Sequence, residues 1–157
     1  MLNEDYRDML QALADEKARF LLVGAYALAA HGYPRATMDI DIWILQSPEN
    51  ADAVMRALRR FGTPLQNLTP QDLQRDEMIF QIGVAPRRID IITTASGLQF
   101  EEAYANSMAV DIEGLEVHIL SLADLIRNKR ASGRTKDIAD AEALEELQSE
   151  QPADPGK

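Results

Sequence analysis

The chain has 157 residues, 46% of them hydrophobic, a length and apolar content that fit about one domain with a sizeable core. A formal charge of −10 excludes a protein that coats nucleic acid through a broad positive field, because such binding rests on many Lys and Arg contacts to phosphates. There is no cysteine and there are two histidines, which excludes a disulfide framework, a thiolate zinc site and a cysteine nucleophile, and argues against a histidine-rich metal site.

Taken in chain order, Asn3 to Lys17 carries Tyr6, Met9, Leu10 and Leu13 at helical spacing among charges, with Asn3 as N-cap. Arg19 to Val23 reads as a buried strand that Gly24 breaks. Ala25 to Ala30 opens a short helix ending near Gly32 and Pro34. The apolar stretch from Phe20 to Ala30 is too short to span a bilayer, and Met1-Leu2-Asn3-Glu4-Asp5 lacks the layout of a secretory signal, so a cytoplasmic protein without a membrane partner is expected. Thr37 to Leu45 is the next strand, and Ser47-Pro48-Glu49 starts a helix to Phe61 with Val54, Met55 and Leu58 inward, stopped by Gly62-Thr63-Pro64.

Residues 65 to 76 read as a loop with a short helix from Thr69-Pro70. Glu77 to Gly83 and Arg87 to Thr93 make a hairpin around Ala85-Pro86, Phe100 to Tyr104 a short helix, and Met108 to Ile112 with Leu115 to Leu120 a second hairpin. Ser121 caps a helix to about Ala131, Gly133 interrupts, and Thr135 to Leu147 forms the last helix, with Ile138, Ala141, Leu144 and Leu147 on its apolar stripe. These elements give a single domain over residues 1–148, α/β in the α+β sense, with a mixed sheet flanked by helices. Residues 149–157 read as a disordered acidic tail. His31 is expected to be a helix-end residue, His118 structural, and Trp43 a packing residue at the end of its strand.

The chemistry concentrates in the strand Met38-Asp39-Ile40-Asp41-Ile42-Trp43-Ile44-Leu45. Residues i and i+2 of a strand share a face, so Asp39 and Asp41 can aim at one point while Met38, Ile40, Ile42 and Ile44 face a core. The stretch Arg87-Arg88-Ile89-Asp90-Ile91-Ile92 repeats that alternation, with Arg88 and Asp90 on one face. If the two strands pair, three carboxylates converge, an arrangement suited to one or two hard divalent cations and to phosphoryl or nucleotidyl transfer. Gly24, at a strand-to-helix turn, can let backbone N–H groups approach a phosphate, and Arg35 and Thr37 stand just before the acid pair. Lys129, Arg134 and Lys136, in the densest basic cluster of the chain, can neutralise a triphosphate if the C-terminal helices fold back across the sheet.

Together these residues resemble the nucleotidyltransferase superfamily of the DNA polymerase β type. Its pattern is a glycine with Gly or Ser, about a dozen residues, an acid-x-acid pair on a strand, and a third acid on a later strand. Gly24-Ala25, Asp39-Ile40-Asp41 and Asp90 stand at those places. Arg35-Ala36-Thr37 and the stretch from Asn128 to Asp140 are similar to the minimal bacterial branch that includes the abortive-infection toxin nucleotidyltransferases. The resemblance, which runs from about Phe20 to Leu144, implies a nucleotidyltransferase-like fold, Mg2+ or Mn2+ held by Asp39, Asp41 and Asp90, and transfer of a nucleoside monophosphate from a nucleoside triphosphate to an acceptor hydroxyl. It implies triphosphate contact by Lys129 and an orienting role for Asp137. Transfer RNA, a partner protein or a small molecule is the implied acceptor, and a neighbour-encoded antitoxin an implied partner. Ala25 departs from the usual Ser or Gly and removes a hydroxyl that can bind phosphate. A catalytically silent nucleotide- or protein-binding protein of the same fold is therefore the competing reading. A haloacid dehalogenase-type phosphatase fits poorly, because Trp43 stands where that pattern carries Thr or Val.

Overall fold

The computed structural model describes residues 3–33, 39–84 and 87–150. Its first helix, α1 (Glu4–Asp15), begins where Asn3 Oδ1 accepts the Tyr6 N–H at 2.9 Å. Tyr6, Met9, Leu10 and Leu13 are fully buried on one stripe, as the spacing requires. There follow β1 (Phe20–Val23), α2 (Gly24–Ala30), β2 (Ile40–Ile44) and α3 (Pro48–Phe61). In α3, Ser47 Oγ accepts the Asn50 N–H, Pro48 opens the first turn, and Gly62 closes the helix in the left-handed conformation. The strand expected from Thr37 begins at Ile40: Asp39 is described and precedes it, and Thr37 and Met38 lie outside the described residues.

The 65–76 segment contains a single 3-10 turn, Asp72–Gln74, whose Leu73 is fully buried. Then come β3 (Ile79–Ile82), β4 (Ile89–Ile92), α4 (Phe100–Ala105), β5 (Met108–Ile112), β6 (Leu115–Ile119), α5 (Leu122–Ser132) and α6 (Thr135–Glu150). Helix α6 takes in Ser149 and Glu150, which the sequence reading gave to the tail, and residues 151–157 lie outside the described residues. On α6, Ala141 and Leu144 are buried, but Leu147 is 45% exposed because the helix runs past the body it packs on. Among the described residues no helix is long and apolar enough to cross a membrane.

The six strands form one mixed sheet in the order β3-β4-β2-β1-β6-β5. β2 is antiparallel to β1 and parallel to β4, while β3–β4 and β5–β6 are antiparallel hairpins. The register pairs Ile40 with Ile89 and Ile42 with Ile91, so one sheet face presents a continuous branched aliphatic layer of essentially zero exposure. Burying each such side chain is worth about 1.5–3 kcal/mol, which fixes the strands' facing and with it the facing of the residues between them. Trp43, on the opposite face, packs edge-on against Phe100 and donates from Nε1 to Thr93 O. His31 caps α2 and bonds Leu120 O, and His118 stacks on Tyr104 and bonds Ser107 Oγ, both in structural settings.

Asn50 is a buried polar residue that periodicity alone does not single out. Its Oδ1 accepts the Arg19 N–H at 2.6 Å, and its Nδ2 donates to Arg19 O and Leu45 O. It thereby ties the start of α3 to the paired ends of β1 and β2. In Asn50→Ala the Arg19 N–H and the Leu45 carbonyl lose this partner, and a loss of about 2–4 kcal/mol in urea unfolding is expected.

Candidate active site

Parallel pairing of β2 with β4 sets Asp41 directly beside Asp90. Ile40, Ile42, Ile89 and Ile91 turn to the other face, so the two carboxylates share the face that remains. They stand close enough to hydrogen-bond, and Asp39, two residues before Asp41, adds a third negative charge. Burial, then the charges of Asp90 and Asp39, push the Asp41 carboxyl up to about 6, with Arg88 partly offsetting them.

Arg88 occupies the position between the other two acids. Its Nη2 lies 3.1 Å from Asp39 Oδ2, its Nε donates to Asp90 Oδ1 at 3.0 Å, and Nη2 also donates to Asp90 Oδ2 at 3.2 Å. Its backbone is fixed as well, since the Arg88 carbonyl accepts from Ile40 N and from the Tyr6 hydroxyl. Among the described residues no three acid or imidazole side chains are already gathered around one metal position. The all-oxygen donor set nevertheless fits a hard divalent cation, and so does the raised Asp41 carboxyl, which Arg88 offsets only in part.

Gly24 follows Val23, the β1 partner of Asp41. Its φ is +65°, and a Cβ at this position would overlap Asp41 Oδ2. The glycine is required here by the carboxylate beside it as much as by the turn. Ala25 follows it into α2.

Opposite the sheet stand α5 and α6. Ser121 Oγ caps α5, and Gly133, at φ +73°, turns the chain so that α6 packs back on α5. Gly24, Ala25, Asp41, Asp90, Lys129, Arg134, Lys136 and Asp137 consequently line one cleft of about 530 Å3. Lys129 Nζ is 3.2 Å from Asp140 Oδ2 and 3.6 Å from Asp137 Oδ1. Asp137 also accepts from Ser132 Oγ and Arg134 Nε. Burial works against its ionised form, but the Ser132 hydrogen bond, Lys129 and Arg134 outweigh it and hold the carboxyl below its usual range.

Asp39 is absent from the cleft lining and is held at its side by Arg88. Arg35 and Thr37 lie outside the described residues. The sequence reading did not single out Glu77, Thr94, Asn128 and Asp140, which also line the cleft. Nor did it give Arg88 its bridging place, although the Arg-x-Asp spacing on one strand carried that signal.

Residues 1–149 match the family described as "Nucleotidyltransferase of unknown function (DUF6036)", and the chain belongs to that family. A crystal structure from Thermotoga maritima, described as that of a "putative nucleotidyltransferase", is similar in fold. It superposes with a TM-score of 0.57 over 96% of this chain and 97% of that one, at 18% identity. No curated protein matches the chain in sequence.

Two outcomes follow from the packing of Asp41. Its carboxyl holds a proton more tightly in the folded chain (about 6) than in the unfolded one (3.8), so its contribution to stability declines as pH rises through that window and is flat above it. Asp41→Asn removes the decline and gains up to about 3 kcal/mol over wild type at neutral pH, read from urea melts on both sides of the window. Gly24→Ala must displace Asp41 and strain a left-handed position, with an expected loss of about 2 kcal/mol or more in the same melts.

Proposed function

We propose that the protein is a metal-dependent nucleotidyltransferase that moves a nucleoside monophosphate from a nucleoside triphosphate to an acceptor hydroxyl. The observation that carries this reading is the in-register pairing of Asp41 with Asp90 on the floor of a cleft whose other wall bears Lys129, Arg134 and Lys136. Membership of a family described as nucleotidyltransferases supports it. Asp39, Asp41 and Asp90 would hold Mg2+ or Mn2+. When bound, the cation supplies positive charge to phosphate oxygens and lowers the repulsion within the trio.

The protein's own contribution is mainly positioning. Lys129 is held by Asp137 and Asp140 and lines the cleft, so part of its side-chain freedom is already restricted before it meets the polyphosphate. Arg134 and Lys136 add charge at the rim. Gly24 keeps the turn beside Asp41 open to a phosphate. As the acceptor oxygen bonds to the α-phosphorus, the bond to the bridging oxygen of the β-phosphate breaks and pyrophosphate leaves. Transfer RNA, a partner protein or a small molecule as acceptor, and a place as the toxin-like half of a toxin–antitoxin pair, rest on the sequence resemblance of Arg35 to Thr37 and of Asn128 to Asp140.

The silent-protein reading draws on Ala25 and on Arg88, which already gives two of the three acids a counter-charge. The two readings separate by experiment. Incubation of the full chain with Mg2+, α-labelled nucleoside triphosphates and total cell RNA and protein should label an acceptor, and Asp41→Asn should reduce labelling by at least about a hundredfold. Mg2+ should also raise the wild-type melting temperature more above pH 6 than below it, and leave Asp41→Asn unmoved. Nucleotide binding without transfer to any acceptor would establish the silent protein.

A further inference from the structure

We infer that the β3–β4 end of the cleft is a nucleobase slot in which Glu77 selects guanine, an inference that rests on the nucleotidyltransfer reading above. Beyond Asp90, β4 ends at Ile92 and the segment after it carries Thr94, while β3 begins at Ile79 and the turn before it carries Glu77, all of them lining the cleft. At about 3.3 Å per residue, Ile92 lies about 7 Å along β4 from Asp90, and Thr94 stands two residues past the strand's end. A nucleotide with its phosphates between Asp90 and the basic wall would extend its base in that direction. Midway lie Ile92 and Ile79, and Ile79 is 57% exposed although its register partner is Ile92 in the sheet. Leu125 of α5 lines the same cleft from the helix side. An apolar surface of this kind is suited to the face of a heterocycle, and covering Ile79 with one removes its apolar area from water.

Glu77 is held in a conformation that its residue type disfavours. Its φ is +57°, and its N–H is committed to Thr94 Oγ1 at 3.2 Å. Glycine or asparagine would sit there with less strain, so the carboxylate is retained at a conformational cost, the pattern expected where a side chain serves a site. Polarity along the cleft also sets the orientation of the ligand. The cations of α5 and α6 attract polyphosphate, whereas the Glu77 carboxylate repels it and turns the base toward itself.

At the base edge the ionised Glu77 can only accept hydrogen bonds. Asn128 donates one Nδ2 hydrogen to Ser96 O and keeps both a second N–H and its amide oxygen, so the group that accepts only is the Glu77 carboxylate. The complementary edge must present donors. Guanine offers N1–H and the 2-amino group side by side, matching both oxygens of one carboxylate. Adenine and cytosine place an acceptor nitrogen beside their amino group, and uracil has one N–H between two carbonyls.

Calorimetric titration of the full chain with each of the four nucleoside triphosphates in Mg2+ tests this. GTP should bind roughly tenfold or more tighter than ATP, the value of a charge-assisted pair, with inosine triphosphate between them because it lacks the 2-amino group. Glu77→Gln should bring GTP and ATP to near-equal affinity by weakening GTP alone. Glu77→Gly should do the same while raising the melting temperature, a combination that a purely structural role for the side chain does not produce. Ile79→Ala should weaken all four alike. Equal affinities in the wild type, or a preference that Glu77→Gln leaves intact, overturn the slot while leaving the transferase reading standing. Absence of binding by any of the four overturns that reading and the slot together.

Discussion

Two carboxylates on neighbouring strands of a parallel pair, held side by side by a register they do not control, are the constraint around which this molecule is arranged. Asp41 and Asp90 repel, yet sliding either strand by one residue would turn Ile40, Ile42, Ile89 and Ile91 to the solvent face. Several buried aliphatic side chains at about 1.5–3 kcal/mol each outweigh the repulsion of one acid pair, so the core dictates where the charges meet. Arg88, Gly24 and the rise of the Asp41 carboxyl to about 6 are the local responses to that imposed meeting.

The facing wall obeys a different rule. The basic cluster of α5 and α6 is no free positive patch, because Lys129 is shared between Asp137 and Asp140, and Arg134 also leans on Asp137. Such pairing contributes little to stability at a surface, but it restricts where a long, flexible side chain can point. A chain of net charge −10 can in this way offer a short stretch of oriented cations over a cleft without becoming a general binder of polyanions.

Much of this architecture was legible because it follows from short-range periodicity. Alternation of Ile with Asp on two strands anticipated the shared face and left the pairing of β2 with β4 as a condition, which the structure meets, and caps at Asn3, Ser47 and Ser121 fell where their side chains now bond. The approach of Lys129, Arg134 and Lys136 to the acids required α5 and α6 to fold back, which a glycine at 133 suggested without dictating. What escaped the sequence reading is tertiary. Asn50 serves strands 31 residues before it, Glu77 faces the cleft only because β3 pairs with β4, and Asp140 matters only once α6 lies on α5. Gly24 was read as a phosphate turn, and its second reason, the oxygen of Asp41, is invisible until β1 and β2 are paired.

The bridging guanidinium decides how the site should be understood. A permanent structural counter-charge would be expected to relieve all three acids, since leaving one buried carboxylate uncompensated is costly. Arg88 pairs directly with Asp39 and Asp90 and reaches Asp41 only through its charge, so it offsets the rise of that carboxyl in part. The guanidinium is itself about one-third exposed, so it can leave for solvent without being dragged through the core. Asp41 and Asp90 would hold a divalent ion, which would supply twice the charge of the guanidinium in a smaller radius. Partial neutralisation by a displaceable residue is the arrangement of a site kept ready for exchange, and it favours the active reading of this fold over the silent one.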